Sequence, residues 1–393
     1  MFFRVLVLVV FCTILSTGYC YGQQKPISQL IRELSSLDQT SIDDELDKFY
    51  QNRKSTPVIE QNTAYFIVRS MNGEQPYIRA DFNGFLHPRY VPEQSIGKMN
   101  RIGSSDWYYH EQPMNMDAMV NYRFKMGDLD TLDVLNPNIR MSFGSQYSYV
   151  TMPEFKTDNK IGFEGQINNE QLIRHEFKSE IMGHNRNVHV YLPPDYNSSN
   201  RYPSIYFHDG SIYINNGRVP QILDQLIESK QIEPIIAVFD DPVVRGKEYR
   251  NDLGFRQYIS SELIPFIDKN YSTRDDADTR AVVGGSRGGQ SALYLSHNTN
   301  KFKKCGAFSP AIHPTATKDF TSQLSSVEYA PSEVFISGSV YDFIWFQDAL
   351  DLKSTFENSG VRFKYEEISQ GHNIPAWRSL FDEMLIFFFP VKS

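Results

Sequence analysis

The spacing of apolar residues changes several times along this chain, and each change predicts a different kind of element. Val5 to Leu15 is an apolar run behind a short basic start, Met1 to Arg4, and small polar residues follow it from Ser16 to Gly22. That layout predicts a secretory signal peptide over residues 1–22, because the run is too short to span a bilayer. Between Ile27 and Tyr50, Leu30, Ile31, Leu34, Leu37, Ile42, Leu46 and Phe49 recur at spacings of three to five, which predicts one or two amphipathic helices in an N-terminal segment 23–56. From Val58 the pattern shortens to strands. Thr63–Arg69, Tyr77–Phe82 and Tyr122–Lys125 are rich in aromatic and β-branched residues, with turn formers Asn72-Gly73, Asn83-Gly84 and Gly127-Asp128 between them, so a smaller β-sandwich of immunoglobulin-like type is expected over 57–155.

Beyond Gly165 the rhythm becomes strand, loop, helix. Strands are expected at Leu172–Lys178, Val188–Leu192, Ser204–Phe207, Ile235–Phe239, Arg280–Val283, Cys305–Ser309, Glu333–Ser337 and Phe363–Glu367. Helices are expected at Ile222–Glu228, Phe255–Asn270, Gln290–His297, Phe346–Asn358 and from Ala376 onward. Short, wholly apolar strands alternating with helices predict an α/β fold, a doubly wound sheet of α/β-hydrolase type over 165–393.

Charge narrows the function classes. With 39 basic and 47 acidic residues, a balance of −8 without long runs of one sign, the chain is not built to track nucleic-acid phosphates. No stretch reaches the ~20 consecutive apolar residues of a spanning helix. Of the three cysteines, Cys12 and Cys20 fall within the leader and Cys305 is expected to be a buried structural thiol. Secretion or a periplasmic location is expected, with lipid anchoring at Cys20 as the rival reading.

The chemistry concentrates in Gly284-Gly285-Ser286-Arg287-Gly288, a G-x-S-x-G between an expected strand and an expected helix. A nucleophile elbow needs this composition: the serine takes a strained turn, and glycines on either side let strand and helix approach. A hydroxyl also needs a base, and in this fold class the base follows the serine. Three histidines do so. His297 falls in the helix after the elbow and His313 comes one strand too early, whereas His372 lies directly beyond the strand Phe363–Glu367. The acid is expected after the preceding strand, at Asp342, with Asp348 and Asp351 as rivals inside the next helix. Two backbone amides should form the oxyanion hole: Arg287 after the serine, and Ser211, with Gly210 its nearest competitor, in the loop after Tyr206-Phe207-His208. His208 itself is read as structural.

In order, Val190-Tyr191-Leu192-Pro193-Pro194-Asp195-Tyr196, His208-Asp209-Gly210, Arg245-x-x-Glu248-Tyr249, Glu262-Leu263-Ile264-Pro265, the elbow, and Gly371-His372 with Trp377-Arg378 resemble the esterase family of α/β hydrolases. The likeness is nearest to enterochelin-esterase-like proteins, which are related to feruloyl and acetylxylan esterases. The resemblance implies Ser286, Asp342 and His372 as a catalytic triad and a bracing role for Arg245 and Glu248. Arg287 departs from the family, which usually carries an apolar residue there. Asp81-Phe82-Asn83-Gly84-Phe85 and Asp106-Trp107-Tyr108 resemble the early-set, glycogen-binding-module-like domain that precedes such esterases, with Trp107 expected in the core.

The leading expectation is an exported serine carboxylic-ester hydrolase of siderophore-esterase type, acting on a small-molecule or glycan-linked ester, with no metal or organic cofactor called for. A feruloyl or acetyl ester on plant polysaccharide, acyl transfer to a sugar, and a non-catalytic carbohydrate-binding protein are the alternatives.

Overall fold

The computed structural model describes residues 25–51, 56–70, 73–142, 144–156, 172–312 and 331–391. The leader over 1–22 and His313 lie outside them. Two helices, Ile27–Leu34 and Gln39–Gln51, precede two antiparallel sheets. In spatial order the first sheet holds Val58–Glu60, Thr63–Arg69, Trp107–Pro113 and Asn100–Arg101. The second holds Pro76–Ala80, Met119–Met126, Ser145–Thr151 and Ile139–Ser142, with Leu129–Thr131 beside its second strand.

Alternation along Thr63–Arg69 explains the layering. Ala64 and Phe66 point into the core between the sheets, while Tyr65 and Ile67 point the other way, into a second core closed by Ile27, Leu30, Ile31, Leu34, Ile42 and Leu46 of the helices. The N-terminal helices therefore cover the outer face of the first sheet. Trp107 lies beneath them, 6% exposed, its indole N–H donating to Asp43 Oδ1 at 2.8 Å and its ring stacked on Tyr50. It is a core residue and not a platform for sugar.

The strand expected over Tyr77–Phe82 stops at Ala80. Asn83 accounts for the stop: its side chain accepts from the Ala80 N–H at 2.9 Å and donates to Ile78 O at 3.0 Å, replacing sheet partners with local ones. Asp81–Leu86 then forms a tight turn in which Gly84, Phe85 and Leu86 all have positive φ.

The second layer system is an eight-stranded sheet. Its order is Leu172–Ser179, His184–Tyr191, Ile236–Asp240, Ser204–His208, Arg280–Gly285, Lys304–Phe308, Glu333–Ser339 and Arg362–Ile368. His184–Tyr191 runs antiparallel to both its neighbours, and the strands from Ile236–Asp240 onward pair in parallel. Successive residues of Arg280–Gly285 feed opposite cores: Val282 packs with Leu263, Leu293 and Ile336 on one face, Ala281 and Val283 with Trp377, Phe381 and Leu385 on the other. Burial on both faces is what the unbroken apolar strand patterns require.

The helix expected over Phe255–Asn270 is present as Leu253–Tyr258, a π-helical turn Ile259–Leu263, and Ile264–Asn270. Pro265 supplies the reason, since it has no N–H to give the preceding turn and its ring crowds the carbonyl four residues back. Beneath this helix Arg186 is fully buried, bonded to Asp240 at 2.7 Å and Glu248 at 2.9 Å, with its guanidinium over the Tyr258 ring. Cys305 is buried in the central sheet, and burial pushes its thiol up to about 12, so it is inert.

The sandwich rests on two loops at the carboxyl ends of the parallel strands. Asn115 N–H donates to Tyr341 Oη at 2.8 Å, Asn115 Nδ2 to Ser369 Oγ at 3.0 Å, and Met119 N–H to Ser369 O at 2.9 Å. Val340 and Tyr341 pack into the core between its sheets. Among the described residues no helix is long and apolar enough to cross a membrane.

Candidate active site

Ser286 follows the strand Arg280–Gly285 and precedes the helix Arg287–Asn298, at φ 57°, ψ −125°. A non-glycine residue in this region is strained, and the surroundings must hold it. They do: Ser286 N–H donates to Phe308 O at 2.8 Å, and its carbonyl accepts from Gln290 N–H at 3.1 Å and Ala311 N–H at 3.0 Å. The glycines are dictated by contact. A Cβ at Gly284 would stand 2.3 Å from the backbone of Gly288, and one at Gly285 would stand 2.3 Å from the Trp377 ring.

His372 follows the strand Arg362–Ile368, and its Nδ1 lies 2.6 Å from Asp342 Oδ2. Asp342 ends the loop after Glu333–Ser339, is 2% exposed, and also accepts from Trp345 N–H at 3.2 Å. A carboxylate on Nδ1 fixes the tautomer that leaves Nε2 able to accept a proton. Trp377 joins this pair to the elbow, because the indole packed under Gly285 lies edge-on to the His372 ring at 5.2 Å and donates to Ser309 Oγ.

The rivals stand elsewhere. Asp348 sits in the helix Phe346–Glu357, where burial and the neighbouring Asp351 and Asp342 raise its carboxyl to about 7, and its Oδ2 has no hydrogen-bond partner among the described residues. His297 is buried with Nδ1 on Leu293 O at 2.8 Å. His208, 2% exposed between Tyr249 and Phe255, is held neutral by burial, which lowers it to about 3, so its structural reading fits.

One oxyanion expectation needs correction. The Ser211 N–H already donates to Asp241 Oδ1 at 2.8 Å, and its hydroxyl bonds to the same carboxylate. A donor committed to a carboxylate is not available to a second anion placed beside that charge. Gly210, the competing donor of this loop, is packed so closely on Phe239 that a Cβ would stand 2.6 Å from its carbonyl carbon. The loop is braced through Asp209, at φ 56°, whose carboxylate takes a two-point bond from Arg245 at 2.7 and 2.8 Å. Arg245 and Glu248 therefore do not pair with each other. Glu248 instead binds Arg186 and the amides of Val243 and Val244.

Sequence reasoning allowed that the sandwich could wall the site but named none of the residues by which it does so. Asp342 and His372 open into a cavity of about 1050 Å³ whose other wall includes Arg79, Asp81, His87, Tyr90 and Tyr147. Arg287 lines an adjoining hollow of about 340 Å³ with Arg89 and Arg250; Tyr90 and Trp345 border both spaces. Asp81 is the nearest such neighbour to the histidine loop: a Cβ at Gly371 would overlap its carboxyl at 1.9 Å. Its Oδ2 accepts from Asn121 N–H at 2.6 Å. The signal was present in the strand-turn motif at Asp81, but nothing local in sequence joins it to residue 371.

Burial raises the Asp81 carboxyl from 3.8 to about 7; Asp342 adds to the rise, while the Asn121 amide, Arg140 and His372 oppose it. Tyr147 also feels its charge. Between these values the folded chain keeps a proton that the unfolded chain has released, so stability falls as pH rises through this window and levels off above it. Asp81→Asn keeps an acceptor for Asn121 but cannot titrate. Its stability relative to wild type should climb between about pH 4.5 and pH 7 and then stay flat. Urea unfolding across that range reads the difference, and a constant offset would rule this out.

Residues 179–347 match the family described as "Putative esterase". The endo-1,4-beta-xylanase/feruloyl esterase of Xylanibacter ruminicola is 29% identical over 157 residues, which cover 36% of this chain and 22% of that protein. Esterase Rv1288 of Mycobacterium tuberculosis is 30% identical over 133 residues, 32% of this chain and 29% of that one. Among solved structures, the ferric enterobactin esterase of Salmonella typhimurium superposes with a TM-score of 0.68 at 16% identity, covering 87% of this chain and 98% of its own. Coverage of that extent carries the shared fold beyond the α/β sheet and into the N-terminal half.

Proposed function

We propose that this chain, an ester hydrolase whose residues 179–347 match that esterase family, works through a serine acyl-enzyme and cleaves a small anionic ester of siderophore type outside the cytoplasm. The observation that carries the mechanism is the His372–Asp342 bond of 2.6 Å, joined through Trp377 to the elbow that holds Ser286 at φ 57°. Ser286 Oγ attacks the ester carbonyl while His372 Nε2 takes its proton, and Asp342 holds the imidazolium at Nδ1. The amides of Arg287 and Gly210 receive the oxyanion. Collapse of the tetrahedral adduct breaks the bond to the alcohol, which leaves with the proton from His372. Water, deprotonated by the same imidazole, then releases the acid and restores Ser286.

Substrate charge follows from the hollow beside the elbow. Arg89, Arg250 and Arg287 converge there with no carboxylate among the lining residues. Guanidinium groups at a rim favour a carboxylate, a catecholate or a phosphate on the departing or acyl portion. Feruloyl esters are the second reading, favoured by the Xylanibacter relative. The two separate on a pair of nitrophenyl esters, one neutral and one carrying a free carboxylate. Arg287→Gln should raise KM about tenfold for the charged ester and leave the neutral one within about twofold, the equivalent of one lost charge-assisted bond at a partly open site. Equal effects on both esters would remove the anionic assignment and leave the feruloyl reading in front.

A further inference from the structure

Building on the serine acyl-enzyme proposed above, we infer that Tyr90 and Trp345 form a specificity-determining partition that keeps the acyl part of the ester and its alcohol in separate compartments, so that the substrate is an ester of a compact acid with a bulkier alcohol. Among the described residues, the cavity of about 1050 Å³ and the hollow of about 340 Å³ have two lining residues in common, and these are Tyr90 and Trp345. Their rings meet edge to face with centroids 5.3 Å apart, one from the sandwich and one from the α/β part.

The residues of the proposed reaction line different sides of this pair. Asp342 and His372 line the larger space, whereas Arg287, the residue after the nucleophile, lines the smaller. The alcohol leaves with the proton from His372, so it departs into the larger space. The acyl group stays on Ser286 with its carbonyl oxygen at the Arg287 amide, so its chain extends into the smaller one. An ester bound for attack therefore lies across the partition, with compartments of unequal size at its two ends.

Both rings are held where they stand. Tyr90 is flanked by the His87 ring, with centroids 4.9 Å apart, and by the Arg89 guanidinium at 5.4 Å, and its N–H donates to His87 O at 2.9 Å. Trp345 immediately precedes the helix Phe346–Glu357, and its N–H is committed to Asp342 at 3.2 Å. The loop between Asp342 and Trp345 abuts the sandwich turn so closely that a Cβ at Gly84 would stand 3.1 Å from Ile344. A wall packed from both sides yields to an overlong acyl chain only at a cost.

The test is a series of nitrophenyl esters of straight-chain acids, with kcat/KM compared for the decanoate and the butyrate. In wild type the decanoate should be poorer by about tenfold or more, the order of selectivity that a few methylenes carry at a closed wall. Tyr90→Ala and Trp345→Ala should each raise the decanoate-to-butyrate ratio by about the same factor. Tyr90→Phe should keep the wild-type ratio, because the partition is the ring and not the hydroxyl. The alanine variants should fold, since both side chains are half-buried and the bonds to His87 and Asp342 run from backbone N–H groups that alanine retains; near-UV circular dichroism checks this. On the alcohol side, replacing nitrophenol in the acetate by the bulkier, similarly acidic methylumbelliferone should cost wild type less than lengthening the acyl chain does. A wild type that takes the decanoate as readily as the butyrate, a ratio unchanged in both alanine variants, or one moved equally by Tyr90→Phe overturns the partition; turnover of the butyrate and fluorophosphonate labelling of Ser286 then leave the hydrolase reading standing. A wild type neither active nor labelled removes both.

Discussion

Ser286→Ala is expected to lose on the order of 10⁴- to 10⁶-fold in kcat on a short-chain ester, the scale seen when the nucleophile of a triad is removed and only oxyanion donors and binding remain. Fluorophosphonate labelling should disappear with it. The fold should survive, because the hydroxyl takes no part in the bonds that hold the elbow; those run through the Ser286 N–H and carbonyl to Phe308, Gln290 and Ala311. Ser286→Gly offers a sharper control. Glycine adopts φ 57°, ψ −125° with far less strain, so this variant should be as inactive as alanine while gaining about 1 kcal/mol of stability. Turnover above about 1% of wild type in Ser286→Ala would falsify the assignment of the nucleophile.

The second large effect is expected at a residue with no functional group. Gly371→Ala places a methyl 1.9 Å from the Asp81 carboxyl carbon and 2.2 Å from one of its oxygens. Asp81 cannot simply swing aside, because it is 5% exposed and bonded to Asn121 N–H on a central strand of the sandwich. The overlap must move either the sandwich or the loop that carries His372. Overpacking of this kind costs about 1–3 kcal/mol in stability. A displacement of about 1 Å at a reacting group costs about 10²-fold in rate. We therefore expect kcat to fall about a hundredfold with a smaller change in KM. The double variant Gly371→Ala, Asp81→Gly should recover most of that loss, since it vacates the contested volume. Wild-type kinetics in Gly371→Ala, or no recovery in the double variant, would show that the two parts do not meet at this point.

The centre of the α/β part was legible because its inner strands are buried on both faces and therefore spell apolar runs, as Ser204–His208 and Arg280–Gly285 do. The elbow and the His372 loop were legible for the same reason: their places are fixed by strand order, which periodicity records. The π-helical turn ahead of Pro265 and the early end of the strand at Ala80 were not, since each depends on one residue's local bonding and not on a repeating pattern. The Ser211 expectation failed because Asp241, 30 positions away, takes its amide. Asp81 was hidden by a longer separation still, as its contact with residue 371 exists only once two independent cores have docked.

That docking divides the labour of the molecule along a line that selection can use. Asp342 and His372 stand on the α/β part, whereas much of the wall of the cavity they open into, including His87, Tyr90 and Tyr147, belongs to the sandwich. Substitutions in the loop after Leu86 can therefore alter which ester fits without touching the residues proposed to break it. A lineage carrying this architecture can change its diet by redrawing one wall of a cleft, provided the bonds from Asn115 and Met119 keep that wall in register with the reacting groups.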